Sequence, residues 1–207
     1  MNRPGKIICV GRNYAAHAKE LGNDVPEKPL FFYKPHSSII ANGEPIILPP
    51  TSMSKQIEHE AEVGVVIGQR LRNVDEAGAR KGIAGLTCVN DVTARDLQRT
   101  DGHWIRAKGF DTFCPWGPKI VPFPADDALN RMEVICRVNG KERQHGKVAD
   151  MVFKIPFLVS YLSQVMTLEP GDLIATGTPE GVGPLVDGDV VEVEVTGVGV
   201  LKNAVRK

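Results

Sequence analysis

Glu60 and Glu62 stand one residue apart, and Asp91 follows in Val89-Asn90-Asp91-Val92-Thr93-Ala94-Arg95-Asp96. Carboxylate oxygens are hard donors of the kind that Mg²⁺, Mn²⁺ and Ca²⁺ take. An ion held by three of them keeps open positions for a substrate carbonyl, which it polarises. Along an extended chain the side chains alternate, so Glu58, Glu60 and Glu62 share one face while Ala61, Val63, Val65 and Ile67 line the other. Carboxylates at i and i+2 lie roughly 7 Å apart at Cα. They can reach one cation, and without it they repel each other. The same pattern suits the solvated face of an edge strand, and a lone Asp91 suits a turn or cap, so spacing by itself leaves those readings open.

The elements that must position these groups are mostly strands. Segments rich in Val and Ile recur at 7–10, 63–67, 134–138, 173–176 and 190–195, with Gly and Pro between them. This predicts a β-rich α+β domain. Asn139-Gly140 predicts a type I′ hairpin turn, and the runs 168–172 and 186–189 read as tight turns that launch strands. Helices are few. Asn13 is positioned to cap a short one to about residue 21, and Asp75 another to residue 83. Pro156 suits the first turn of a third, with Phe157, Leu158, Tyr161, Leu162, Val165 and Met166 as an apolar stripe. No linker or long repeat divides the chain, and 207 residues with 42% hydrophobic side chains suffice for a sizeable core.

Charge and composition narrow the partners. Lys plus Arg and Asp plus Glu each number 25, so no net field favours nucleic acid or an anionic membrane. No apolar run approaches the roughly 18 residues of a membrane span. Cys9, Cys88, Cys114 and Cys136 form no CxxC pair and read as buried free thiols of a reducing, cytoplasmic protein. The start of the chain lacks the pattern of a signal peptide.

Five motifs then occur in order. They are Val10-Gly11-Arg12-Asn13-Tyr14-Ala15-Ala16-His17, His59-Glu60-Ala61-Glu62, Asn90-Asp91-Val92-Thr93-Ala94-Arg95-Asp96-Leu97-Gln98, Ala107-Lys108-Gly109-Phe110-Asp111, and Thr176-Gly177-Thr178-Pro179-Glu180-Gly181-Val182-Gly183-Pro184. Together they resemble the fumarylacetoacetate hydrolase family over nearly the whole chain. The similarity is to its short, single-domain members: acylpyruvate hydrolases, oxaloacetate decarboxylases and the isomerase/decarboxylases of homoprotocatechuate breakdown.

The resemblance implies a fold like the family's C-terminal domain, a mixed β-sheet roll or sandwich with a few short helices. It implies one catalytic domain over 1–207, with 11–30 as a mobile lid. Glu60, Glu62 and Asp91 match the family's ligands for Mg²⁺ or Mn²⁺, with Ca²⁺ also suited. His17 and Glu20 match a catalytic His–Glu dyad and share a face if helical. Lys108 matches a lysine that stabilises an enolate or holds a substrate carboxylate. Arg95, Gln98 and Thr178 match positions near the substrate, although Arg95 also suits a structural pairing with Asp91 or Asp96, and Thr178 a turn hydroxyl. His59 reads as structural.

The implied activity is a metal-dependent hydrolysis of a C–C bond in 2,4-dioxo acids. Between Gln98 and Lys108, however, the short Asp101-Gly102-His103-Trp104 form is more like the isomerase/decarboxylase branch. Two alternatives therefore remain: a 2-hydroxyhepta-2,4-diene-1,7-dioate isomerase/decarboxylase or oxaloacetate decarboxylase, and a non-catalytic metal- or ligand-binding β domain. The expected partners are a small 2-oxo acid and a second copy of the chain in a homodimer, with no nucleic acid and no membrane.

Overall fold

The Val- and Ile-rich segments all become strands, because β-branched side chains pack well on a pleated surface. The computed structural model describes residues 4–207; residues 1–3, which open the expected domain, lie outside it. Seven strands form a mixed sheet in the order Leu30–Tyr33, Ile7–Gly11, Leu173–Ala175, Ala61–Ile67, Ile83–Asn90, Cys114–Pro122 and Ile39–Ile40. Five more, Lys141–Lys147, Glu133–Val138, Val190–Val195, Gly199–Arg206 and Ile46–Ile47, form a second sheet packed against the first. A small third sheet of Gly183–Pro184, Ile57–His59 and Thr93–Ala94 leads the chain into the Ala61–Ile67 strand. The β-rich α+β expectation is met.

Ala61–Ile67 pairs antiparallel on both sides, with Leu173–Ala175 and with Ile83–Asn90. Glu60 and Glu62 are themselves buried, which removes the solvated edge-strand reading. Alternation holds as predicted: Ala61, Val63, Val65 and Ile67 enter the main core with Val134, Cys136, Val191 and Val193 of the second sheet. Val66 enters a smaller core with Cys9, Val89 and Leu173 on the opposite face, the face that Glu62 shares by parity.

Local signals hold in part. Asn139 (φ 53°) and Gly140 (φ 75°) are both left-handed, as a type I′ turn requires. Asp75 caps Glu76–Gly82, accepting from the Gly78 N–H at 2.8 Å. The Ile155–Val165 helix forms after Lys154 with Pro156 in its first turn, but it buries Ile155, Leu158, Val159 and Leu162. Phe157 and Tyr161 are only half-buried and continue an aromatic row with Phe153 and Phe31, while Val165 is exposed. The apolar stripe was drawn one position too far round the helix. All four cysteines are free and buried. Among the described residues, no helix is long and apolar enough to cross a membrane.

Asn13 is a correction. The Ala15–Glu20 helix starts from Tyr14 with no side-chain cap. The Asn13 amide instead donates to the carbonyls of Phe153 (3.1 Å) and Thr176 (2.8 Å) and accepts from the Phe153 N–H (2.7 Å). It fastens the N-terminal loop to two distant segments. Gly177, at φ 98°, lies so close that a Cβ there would sit 2.7 Å from Asn13 Cβ. Replacing Asn13 with Ala leaves buried backbone groups unpaired and is expected to cost about 1–3 kcal/mol of unfolding free energy. Urea denaturation checks this, and a change under about 0.5 kcal/mol would refute the fastening role.

Candidate active site

Glu60 is the residue between Ile57–His59 and Ala61–Ile67, Glu62 is the second residue of the latter, and Asp91 follows the end of Ile83–Asn90, the neighbouring strand. Antiparallel pairing therefore delivers all three to one spot. One oxygen from each lies within 4.8 Å of the others, and all three residues are buried. The Asn90 side chain braces the turn by accepting from the Glu60 N–H at 3.0 Å, and the Asp91 N–H bonds the Glu60 carbonyl at 2.9 Å.

Buried cations surround the cluster. Lys108 Nζ donates to Glu60 Oε2 (2.9 Å) and Asp91 Oδ2 (2.7 Å). Lys34 Nζ donates to Asp91 Oδ1 (2.6 Å) and the Val92 carbonyl (3.0 Å). Arg95 spans Glu58 Oε2 (2.7 Å) and Glu60 Oε1 (2.6 Å), and its remaining arm meets Gln98. Arg95 thus pairs with neither Asp91 nor Asp96, contrary to the structural alternative drawn from sequence; Asp96 instead binds Ser54 and the Lys55 N–H.

Four buried carboxylates, Glu58, Glu60, Glu62 and Asp91, face three buried cations, Lys34, Arg95 and Lys108. Glu62 is the one without an ion pair. Among the described residues its sole hydrogen bond is from the Gly177 N–H, at 2.8 Å. Burial, then the charges of Asp91 and Glu60, push its carboxyl well above the usual range. Burial also acts upward on Glu60, but Lys108 and Arg95 outweigh it and hold that carboxyl well below the usual range. For Lys108, burial acts downward and is outweighed by Asp91 and Glu60, so its ammonium is reinforced. An all-oxygen donor set with one negative charge in excess fits a hard divalent cation.

A cavity of about 400 Å³ opens over the cluster. Its polar wall includes Glu60, Glu62, Lys108, Arg95, Gln98 and Thr178; Phe32 and Trp104 supply an apolar wall, with ring centroids 5.2 Å apart. From the N-terminal segment come Arg12, His17, Glu20 and Asn23. His17 Nδ1 lies 3.1 Å from Glu20 Oε2, on one helix face as the spacing predicts. Glu20 Oε1 also accepts from the Gly181 N–H at 2.9 Å, which ties the dyad to the far loop. The carboxylate can only accept, so Nδ1 carries the proton and Nε2 is left as the basic nitrogen.

The structure brings together all nine residues singled out from sequence: eight line the cavity and Asp91 lies beneath them, bonded to Lys108. Thr178 differs in detail. Its hydroxyl donates to the Ala61 carbonyl (2.8 Å) and accepts from Gln144 Nε2 (2.7 Å), so its proton is spent on the scaffold. His59 is buried against Gln144 (2.9 Å) and Cys136 (3.3 Å), in keeping with a structural role. Lys34 was missed. It follows the Leu30–Tyr33 strand, and no local sequence signal marks it as a buried ammonium, because its partner Asp91 is 57 residues away.

This architecture is shared. Residues 6–206 match the family model described as fumarylacetoacetate (FAA) hydrolase C-terminal, and the chain belongs to that family. It is 47% identical over 196 residues to a mitochondrial oxaloacetate tautomerase of Arabidopsis thaliana, covering 93% of this chain and 86% of that protein. It is 45% identical over 197 residues to a mitochondrial oxaloacetate decarboxylase of Dictyostelium discoideum, covering 93% and 89%. The crystal structure of a 5-carboxymethyl-2-hydroxymuconate delta-isomerase from Mycobacterium smegmatis superposes with a TM-score of 0.89 at 48% identity, covering 99% of this chain and 79% of that one. The family is one of enzymes, generally dependent on a divalent metal.

An ion ligated by Glu62 would displace the carboxyl proton, so an apparent Mg²⁺ affinity that rises with pH is expected. Without metal, the folded chain holds that proton more tightly than the unfolded chain. The Glu62 contribution to stability is therefore lost as pH rises from the ordinary carboxylate value of about 4.3 through the raised one. The increase in Tm on adding Mg²⁺ is expected to grow as pH rises above the ordinary carboxylate range, and Glu62→Gln should remove that growth. Thermal melts with and without Mg²⁺ check this; a pH-independent increase in the unmutated protein would count against it.

Proposed function

We propose that this chain is a divalent-metal-dependent enzyme that interconverts the keto and enol forms of a 2-oxo acid of the oxaloacetate type. The observation that carries the reading is the His17–Glu20 pair, which presents a basic nitrogen to the cavity that holds the carboxylate cluster. Support comes from the family and from the names of its relatives, an oxaloacetate tautomerase, an oxaloacetate decarboxylase and a muconate isomerase.

Glu60, Glu62 and Asp91 would hold the ion, Mg²⁺ or Mn²⁺ by the hardness of the set. When bound, it polarises the carboxylate and keto oxygens of the acid. His17 Nε2 removes the proton from C3, and Glu20 stabilises the imidazolium that forms. Lys108 supplies positive charge where the enolate oxygen develops. Phe32 and Trp104 keep water from that side of the cavity. Returning the proton to oxygen completes tautomerisation; in decarboxylation the C3–C4 bond breaks instead, C4 leaves as CO₂, and the bond pair remains as the three-carbon pyruvate enolate, which then takes a proton at C3.

A second reading is hydrolysis of the C–C bond in a 2,4-dioxo acid, with His17 delivering water to a C4 ketone. It is favoured by the size of the cavity, about 400 Å³, which leaves room for an acyl tail and a water molecule. We also propose a homodimer, on the family resemblance; light scattering should give twice the chain's mass of 22.5 kDa.

Purified protein with Mg²⁺ is expected to speed the keto–enol absorbance change of oxaloacetate. His17→Ala should cut kcat/KM by about 10²–10⁴-fold. Release of acetate and pyruvate from acetylpyruvate faster than either oxaloacetate reaction would put hydrolysis first. No turnover of any of these acids, with Glu60→Ala altering stability alone, would leave a non-catalytic binding domain.

A further inference from the structure

Arg12 is set apart from every other cation of the cavity. Lys108, Lys34 and Arg95 are each committed to buried carboxylates, and Arg99 is exposed and touches Gln56 at 3.3 Å. Arg12 is half-buried, lines the cavity, and among the described residues has no hydrogen bond or ion pair to its guanidinium. Its backbone is held at φ 56°, the left-handed region that costs an L-residue with a long side chain.

The surroundings account for that conformation. On one side Gly11 backs onto Trp104, where a Cβ would meet the indole at 3.1 Å. On the other, Asn13 is fixed by its three hydrogen bonds to Phe153 and Thr176. Two rigid neighbours therefore aim one unpaired guanidinium at the cavity, and a strained backbone persists only where its surroundings impose it.

We propose that Arg12 is the specificity-determining residue for a second carboxylate, so that the enzyme selects dicarboxylic 2-oxo acids over monocarboxylic ones. The inference rests on the functional reading above for the placement of the acid's 2-oxo head. Lys108 and the cation held by Glu60, Glu62 and Asp91 take that head, while Arg12 takes the carboxylate at the far end of a four-carbon or longer chain. A guanidinium matches a carboxylate with two parallel N–H donors, and partial burial strengthens the bond relative to water. A methyl or acyl group at the same place leaves the guanidinium unpaired, which penalises the monocarboxylic acid.

Calorimetry on the Mg²⁺-loaded protein with oxaloacetate and with pyruvate tests this, because the two share the 2-oxo acid head and differ in the second carboxylate. Oxaloacetate is expected to bind about 10- to 100-fold tighter than pyruvate. Arg12→Gln should erase the difference by weakening oxaloacetate alone, and Arg12→Lys should restore part of it. Arg12→Gly relieves the left-handed backbone, so it should melt no lower than the parent while losing the preference. A merely structural arginine would give the opposite pairing, a lower Tm with the preference intact. Equal weakening of both ligands in Arg12→Gln, or loss of the preference in Arg99→Gln instead, overturns the assignment. Turnover is read separately: intact binding preference without oxaloacetate turnover sinks the tautomerase reading and leaves Arg12 standing, whereas turnover without the preference does the reverse.

Discussion

The buried charge imbalance of four carboxylates against three cations is the constraint that the rest of the molecule accommodates. Isolated charges of this kind are costly to bury, and they persist where each has a partner. Glu58, Glu60 and Asp91 have theirs in Arg95, Lys108 and Lys34. Among the described residues Glu62 has only the Gly177 N–H. A structure selected for stability alone would have replaced it with an apolar side chain of similar volume. Glu62 lies near the start of the Ala61–Ile67 strand, opposite Val89, where its unpaired carboxylate is suited to a positive charge.

The two sheets serve that place in different ways. The seven-stranded sheet brings Glu60, Glu62 and Asp91 together through one antiparallel pair, so their separation is set by hydrogen-bond register rather than by a loop. The second sheet closes the opposite face with Val134, Val191 and Val193 and contributes Gln144, whose amide group joins the Ala61 N–H, His59 and Thr178. The His17–Glu20 pair sits instead on a six-residue helix held by Asn13 and Gly181. The carboxylate half of the cavity is rigid by pairing, and the His17–Glu20 half is fastened at a few points.

How much of this was legible depended on how far apart the partners lie in sequence. The carboxylate trio and the His17–Glu20 pair were readable because hard-ligand chemistry and helical spacing are local properties. The Asp75 cap and the Asn139-Gly140 turn were readable for the same reason. Asn13 was misread as a cap because its true partners are 140 and 163 residues away. Lys34 was invisible because Asp91 is 57 residues distant, and nothing beside Tyr33 and Pro35 announces a buried ammonium. The hydroxyl of Thr178 could be placed near the site, but not its commitment to Ala61, 117 residues away. Arg12 sat within a recognised motif, yet its backbone conformation follows from Trp104, Phe153 and Thr176 rather than from its neighbours.

The first strand lies beside Leu173–Ala175, and the Lys6 N–H is bonded to Asp172 across 166 residues. A ribosome working at roughly 5–20 residues per second needs on the order of ten seconds or more to supply that neighbour. Until then Ile7–Gly11 has an open flank rich in isoleucine and valine, the kind of exposed edge that recruits other chains. The topology that completes the cavity therefore also leaves this flank of the first strand unpaired until Leu173–Ala175 has been made.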